Sequence, residues 1–109
     1  MINLRQLIAL HWIERLGTFE RAAEHLNTTQ SAISKRIQEL EASTGLQVFD
    51  RSQRGARLTA TGEELLVIAR EMLILAERIT SLKDGTHVVT RRLRLGVTEL
   101  TALTWLPRL

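Results

Sequence analysis

The chain contains no cysteine. That absence removes disulfides, thiolate metal sites and cysteine nucleophiles together, and suits a reducing, cytoplasmic setting. No glycine-rich phosphate loop, HExxH motif or Ser-His-Asp order occurs either. The histidines, His11, His25 and His87, are dispersed, and none has the carboxylate pattern of a metal site around it. Glu63 and Glu64 read as helix-capping acids, and Glu39 and Glu41 lie at a helix end, so neither pair resembles an acid–base couple. No enzyme activity, metal or cofactor is therefore expected. Nor is a membrane span: the longest apolar stretch is broken by Arg70, Glu71, Glu77 and Arg78, well below the roughly 20 apolar residues a span needs. A signal peptide is not expected, because Met1 leads directly into an amphipathic segment whose Leu4, Leu7, Ile8, Ile13 and Leu16 are interrupted by Arg5, Glu14 and Arg15. The net charge of +3 is too mild to identify a partner. Its distribution says more, since Arg51, Arg54 and Arg57 follow Asp50 with no acid among them.

What is present is concentrated in residues 18–57. Phe19, Ala22, Ala23 and Leu26 recur at the three-and-four spacing of a buried stripe, which predicts a short helix over 19–26, with small alanines that let another helix come close. After the polar turn Asn27, Thr28, Thr29, a second helix is predicted to run to about residue 43, with Thr29 as N-cap and Gly45 as the stop. Ile33, Ile37 and Leu40 form its apolar stripe, which leaves Gln30, Ser31, Ser34, Lys35 and Gln38 on the other side. Amides, hydroxyls and an ammonium are the groups that base edges and phosphates require. Residues 46–49 and 56–59 are two short extended runs, and Ser52-Gln53-Arg54-Gly55 between them has the content of a hairpin tip. Two helices, a tight turn and an arginine-bearing ribbon suggest a mainly α winged helix-turn-helix that binds double-stranded DNA. Arg54 would then reach a minor groove or the backbone beside it.

These residues resemble the LysR-type transcriptional regulators of bacteria. The resemblance is carried by Leu4-Arg5-Gln6-Leu7, by Gly17-Thr18-Phe19 with Ala22-Ala23-Glu24-His25-Leu26, and by Thr29-Gln30-Ser31-Ala32-Ile33-Ser34 with Ile37 and Leu40-Glu41. It closes with Gly45-Leu46-Gln47-Val48-Phe49-Asp50-Arg51 and Leu58-Thr59-Ala60-Thr61-Gly62-Glu63. The matches run in order and in register over most of the first 83 residues. Three positions depart from the common pattern: Ser31 replaces a frequent proline, Lys35 a frequent arginine and Thr28 a frequent valine. Lysine keeps the charge but loses the bidentate fork of arginine, which leaves the identity of the preferred base open. Trp12 stands where a small residue is usual, and the indole is expected to fill space against the linker helix. The resemblance implies base readout by Gln30, Ser34 and Lys35, with Thr18, Thr28, Thr29, Ser31, Gln38, Arg51 and Arg54 as further DNA contacts. Arg51 has a second reading, in packing or an internal salt bridge, and His25 is expected to face solvent or phosphate.

The third segment, residues 61–84, reads as one helix about 36 Å long at 1.5 Å per residue. Thr61 and Glu64 make a capping box, although the resemblance also allows a start at Thr59. Its apolar surface is too wide for one-sided packing on so small a domain. A core helix of a larger monomer is one explanation. The resemblance implies another: a linker helix that pairs antiparallel with a second copy, giving a homodimer on an interrupted palindrome, with Leu66, Met72, Leu73 and Ile74 at the contact. A tetramer at full length and RNA polymerase as a partner are compatible with it. Three segments follow: a DNA-binding domain over 1–60, the linker helix over 61–84, and over 85–109 a hinge and the start of a truncated effector-binding α/β domain. Thr98 and Thr101 would line an effector cleft only in a full-length protein. Two other readings stay open, a scaffolding winged helix whose DNA-facing surface is unused and an enzyme with a site formed between chains.

Overall fold

The computed structural model describes residues 1–52 and 55–83. Its helices are α1 (Leu4–Leu16), α2 (Phe19–His25), α3 (Gln30–Thr44) and α4 (Ala60–Lys83). Each begins where a side chain can satisfy an orphan backbone N–H. Asn3 and Gln6 cap α1 reciprocally: Asn3 Oδ1 accepts from Gln6 N at 3.0 Å and Gln6 Oε1 accepts from Asn3 N at 3.2 Å. Thr18 Oγ1 accepts from Arg21 N at 3.0 Å, and Thr29 Oγ1 from Ala32 N at 3.1 Å, so Thr29 is the N-cap that its position predicts. The helix of residues 19–26 ends one residue early, with Leu26 as its C-cap, and α3 runs one residue past the expected end. Asn27 takes a left-handed φ of 56° in the connecting turn, and Gly45 a φ of 74° where α3 stops.

The expected Thr61–Glu64 capping box is replaced by an earlier start. Thr59 Oγ1 accepts from Gly62 N at 2.9 Å and donates to Gln47 O at 2.6 Å, while Thr59 N donates to Val48 O at 3.0 Å. One threonine thus caps α4 and joins the ribbon, a second use that a cap at Thr61 would not provide. The first turn of α4 lies so close to the Val48 carbonyl that a Cβ at Gly62 would collide with it. The ribbon itself is shorter than the two predicted runs. Among the described residues its strands meet at one antiparallel bridge, Phe49 with Leu58, extended by Asp50 N donating to Arg57 O at 2.7 Å.

The core is filled by Leu7, Leu10 and Ile13 of α1, Ala22 and Ala23 of α2, Ile33, Ile37 and Leu40 of α3, and Val48 and Phe49 of the ribbon. The Phe49 ring meets Phe19 with centroids 5.2 Å apart. α4 contributes Leu66, Ala69 and Leu73, each at most 5% exposed. Burying each of the two leucines stabilises by about 1.5–3 kcal/mol. Leu66 and Leu73 therefore correct an expectation: both are expected at the contact with a second copy, but their surface is already covered by the same chain. Along α4 one apolar stripe is buried and a second lies on a different face. Ile68, Met72, Leu75, Ile79 and Leu82 are exposed and follow one another at alternating spacings of four and three. Ile74, half-buried, lies between the stripes.

Candidate nucleic-acid interface

α3 turns Ile33, Ile37 and Leu40 inward, and its periodicity brings the polar residues to the other side. Gln30, Ser31, Ser34, Lys35 and Gln38 together line one shallow, open concavity. The row expected from the sequence is one continuous surface. At its N-terminal edge the Thr29 and Ser31 hydroxyls are 3.3 Å apart. Thr18 and Thr29 act first as helix caps, and in each a hydroxyl that accepts a backbone N–H retains a hydrogen to donate. Thr28 is half-buried in the turn, its N–H donating to Ala23 O at 2.9 Å.

A second concavity adjoins the first and shares Lys35. Asn3, Arg5, Gln6, Ala32, Arg36 and Glu39 complete its lining. It brings in two cations, Arg5 and Arg36, that are not in the expected row. Arg36 has a local signal, being next to Lys35 on the same helix. Arg5 has none, because only the packing of α1 on α3 carries it to this surface.

Arg51 takes its second reading. Its Nη2 donates to Glu41 Oε1 at 2.6 Å, in an ion pair whose side chains are 53% and 16% exposed respectively. The other Glu41 oxygen accepts from Val48 N at 2.8 Å and Phe49 N at 3.3 Å. A carboxylate at the end of α3 therefore holds the base of the ribbon. The remaining N–H groups of the guanidinium can still meet a phosphate. Asp50 accepts from Ser52 Oγ at 2.6 Å and Ser52 N at 3.0 Å, and these bonds hold its carboxyl below the usual range. Arg57 is exposed. Arg54, expected at the tip, lies outside the described residues, as do His87, Thr98 and Thr101.

His25 does not face solvent or phosphate. It is half-buried, its ring against the Trp12 indole at a centroid distance of 4.0 Å. Trp12 in turn meets His11 edge-on at 4.8 Å. Trp12 is buried, and the rings it meets belong to α1 and α2. His11 is 4% exposed, and its Nδ1 accepts from Arg70 Nε of α4 at 3.1 Å. Burial, then the positive charge of Arg70, lowers its pKa to about 4. Among the described residues no group of three or more His, Asp or Glu side chains is placed to hold a metal ion. No described helix is long and apolar enough to cross a membrane.

The family profile described as bacterial regulatory helix-turn-helix protein, lysR family, matches residues 4–63, more than half of the chain. The chain belongs to the LysR family. Among its LysR relatives, the uncharacterized HTH-type transcriptional regulator YdcI of Escherichia coli is 44% identical over 72 residues, which are 66% of this chain and 24% of that protein. Full-length OxyR from Pseudomonas aeruginosa superposes with a TM-score of 0.75 at 29% identity, over 80% of this chain and 30% of that one. The CbnR DNA-binding domain, solved in complex with DNA, superposes with a TM-score of 0.72 at 34% identity, over 77% of this chain and 97% of that one. The mainly helical fold is that of a LysR DNA-binding domain with its long helix. The chain spans between 24% and 35% of the length of the curated relatives it matches.

Proposed function

We propose that this chain is the sequence-specific DNA-binding region of a LysR-type transcription regulator, with α3 in the major groove. The observation that carries the reading is the outward row Gln30, Ser31, Ser34, Lys35 and Gln38, free of apolar side chains and flanked by Arg5 and Arg36. Gln30 can pair with adenine N6 and N7, and Lys35 can donate to guanine O6 and N7. Ser31 and Gln38 widen the readout. Arg5, Arg36, Thr18, Thr28 and Thr29 contact the phosphates that bound the groove, with Arg51 in a supporting place and Arg54 at the ribbon tip in the minor groove or on the backbone. Selection of bound sites from random DNA defines the preferred site. On that site Lys35→Ala is expected to cost roughly 1–3 kcal/mol, and less on random duplex. Equal losses on both would make Lys35 a phosphate contact. No loss on either would remove α3 from the groove.

One recognition helix covers too few base pairs for useful specificity in a genome of competing sites, so a second copy is required. The stripe Ile68, Met72, Leu75, Ile79 and Leu82 has the spacing of a helix–helix seam and no cover within the described residues. Acids at the start of α4, Glu63 and Glu64, and bases near its end, Arg78 and Lys83, favour an antiparallel arrangement of two copies. Of the four residues expected at this contact, Leu66 and Leu73 are buried in the core, and Met72 lies on this stripe. Two copies related by a two-fold axis would read inverted half-sites, in keeping with an interrupted palindrome.

A further inference from the structure

α4 is held to the helix-turn-helix body over only part of its length. Gly62, Leu66, Ala69 and Leu73 are buried along it, and none of the described side chains beyond Leu73 is. About ten residues, on the order of 15 Å of helix, therefore extend past the last buried position. Apolar contact around Ala69 is strong but non-directional, so by itself it leaves the helix free to roll or tilt slightly on α1. Arg70 sits at this joint and supplies direction. Its Nε donates to His11 Nδ1 at 3.1 Å, and its Nη2 donates to Glu14 Oε1 at 2.7 Å. His11 and Glu14 are one turn apart on α1, so a single planar fork grips two points of the neighbouring helix. The Arg70–Glu14 pair is 37% and 42% exposed, and a pair that open adds little to stability. Its use is orientation rather than stability.

We infer that Arg70 is a positioning residue which, by gripping His11 and Glu14, sets the angle between the helix-turn-helix body and α4 and so the DNA half-site spacing that a pair of copies accepts. The inference rests on the two-copy reading above. A tilt of roughly 13° over 15 Å of projecting helix displaces its far end by about 3.4 Å, one base-pair step. Small errors at the joint thus become whole-base-pair errors in spacing. His11 suits the role because its low pKa keeps the imidazole neutral, and its Nδ1 an acceptor, throughout the range in which DNA binding is assayed.

The test uses the whole chain and synthetic duplexes carrying two inverted copies of the half-site selected by the wild type, with the spacer varied in single base-pair steps. The wild type should prefer one spacer over its neighbours by about tenfold or more. Arg70→Gln should bind a lone half-site as the wild type does and sediment alike, yet discriminate between neighbouring spacers by no more than about threefold. Arg70→Lys, which keeps the charge near Glu14 but not the fork, should also lose discrimination. If circular dichroism finds the glutamine variant unfolded, the lysine variant decides. Undiminished discrimination in the folded variants overturns the inference and leaves the two-copy reading intact. A wild type indifferent to spacer length overturns both.

Discussion

At the scale of single residues, the candidate interface depends on which cations are already engaged. Arg51 and Arg70 sit in ion pairs, whereas Arg5, Lys35 and Arg36 line the surface around α3 without one among the described residues. Arg5→Ala and Arg36→Ala should each flatten the dependence of log K on log salt, by about 0.9 for every phosphate that is no longer neutralised, read from titrations at several salt concentrations. An unchanged slope in both would place that concavity away from DNA. His11 sets a pH window. Its folded pKa of about 4 lies below its ordinary value of 6.5, so the unfolded chain binds the proton first and stability falls as pH drops from about 6.5 towards 4. The groups facing it are Arg70 of α4, Glu14 and Arg15 of its own helix, and His25 of α2. Urea unfolding should show a loss of about 2 kcal/mol between pH 7 and pH 5, and a markedly smaller one in His11→Gln. Equal losses would assign the effect to another group.

At the scale of elements, α3, the ribbon and α4 are joined through two side chains. Glu41 ties the end of α3 to Val48, Phe49 and Arg51, and Thr59 ties Gln47 and Val48 to the first turn of α4. The ribbon therefore acts as a connector between the reading helix and the long helix, despite having one bridge among the described residues. Gly62 is where this junction is tightest. Gly62→Ala adds a Cβ against the rigid Val48 carbonyl, which outweighs the usual gain from alanine in a helix. It should lower stability by about 1–3 kcal/mol in denaturant unfolding. A stabilised variant would show that the first turn of α4 moves away without cost.

At the scale of the whole molecule, α4 has one apolar stripe in the core and one facing outward. Charge placed on each should have different consequences. Ile68→Glu with Leu75→Glu should leave a folded protein, by circular dichroism, that sediments as a monomer and binds paired half-sites much more weakly. Leu73→Glu alone buries an unpaired charge and should unfold the domain. A wild type that is monomeric at micromolar concentration would overturn the two-copy reading, and a double variant that still sediments as a dimer would place the seam elsewhere.

Sequence alone determined the features whose causes lie within a turn or two of the chain. Thr29 caps α3, Gly45 stops it, and the spacing of Ile33, Ile37 and Leu40 leaves the polar row on the opposite face, because capping and periodicity act over three or four residues. Tertiary structure decided what depends on which element arrives. α4 is apolar around much of its circumference, so periodicity could show two stripes but not which one α1 would cover, and Leu66 and Leu73 fell on the inner side. His25 turned inward because Trp12 offers it a ring, and Arg51 turned towards Glu41 because the ribbon folds back on the end of α3. Arg5 joined Lys35 and Arg36 only through the packing of α1 on α3. Each of these choices is made by contacts between residues far apart in the chain, which local pattern does not encode.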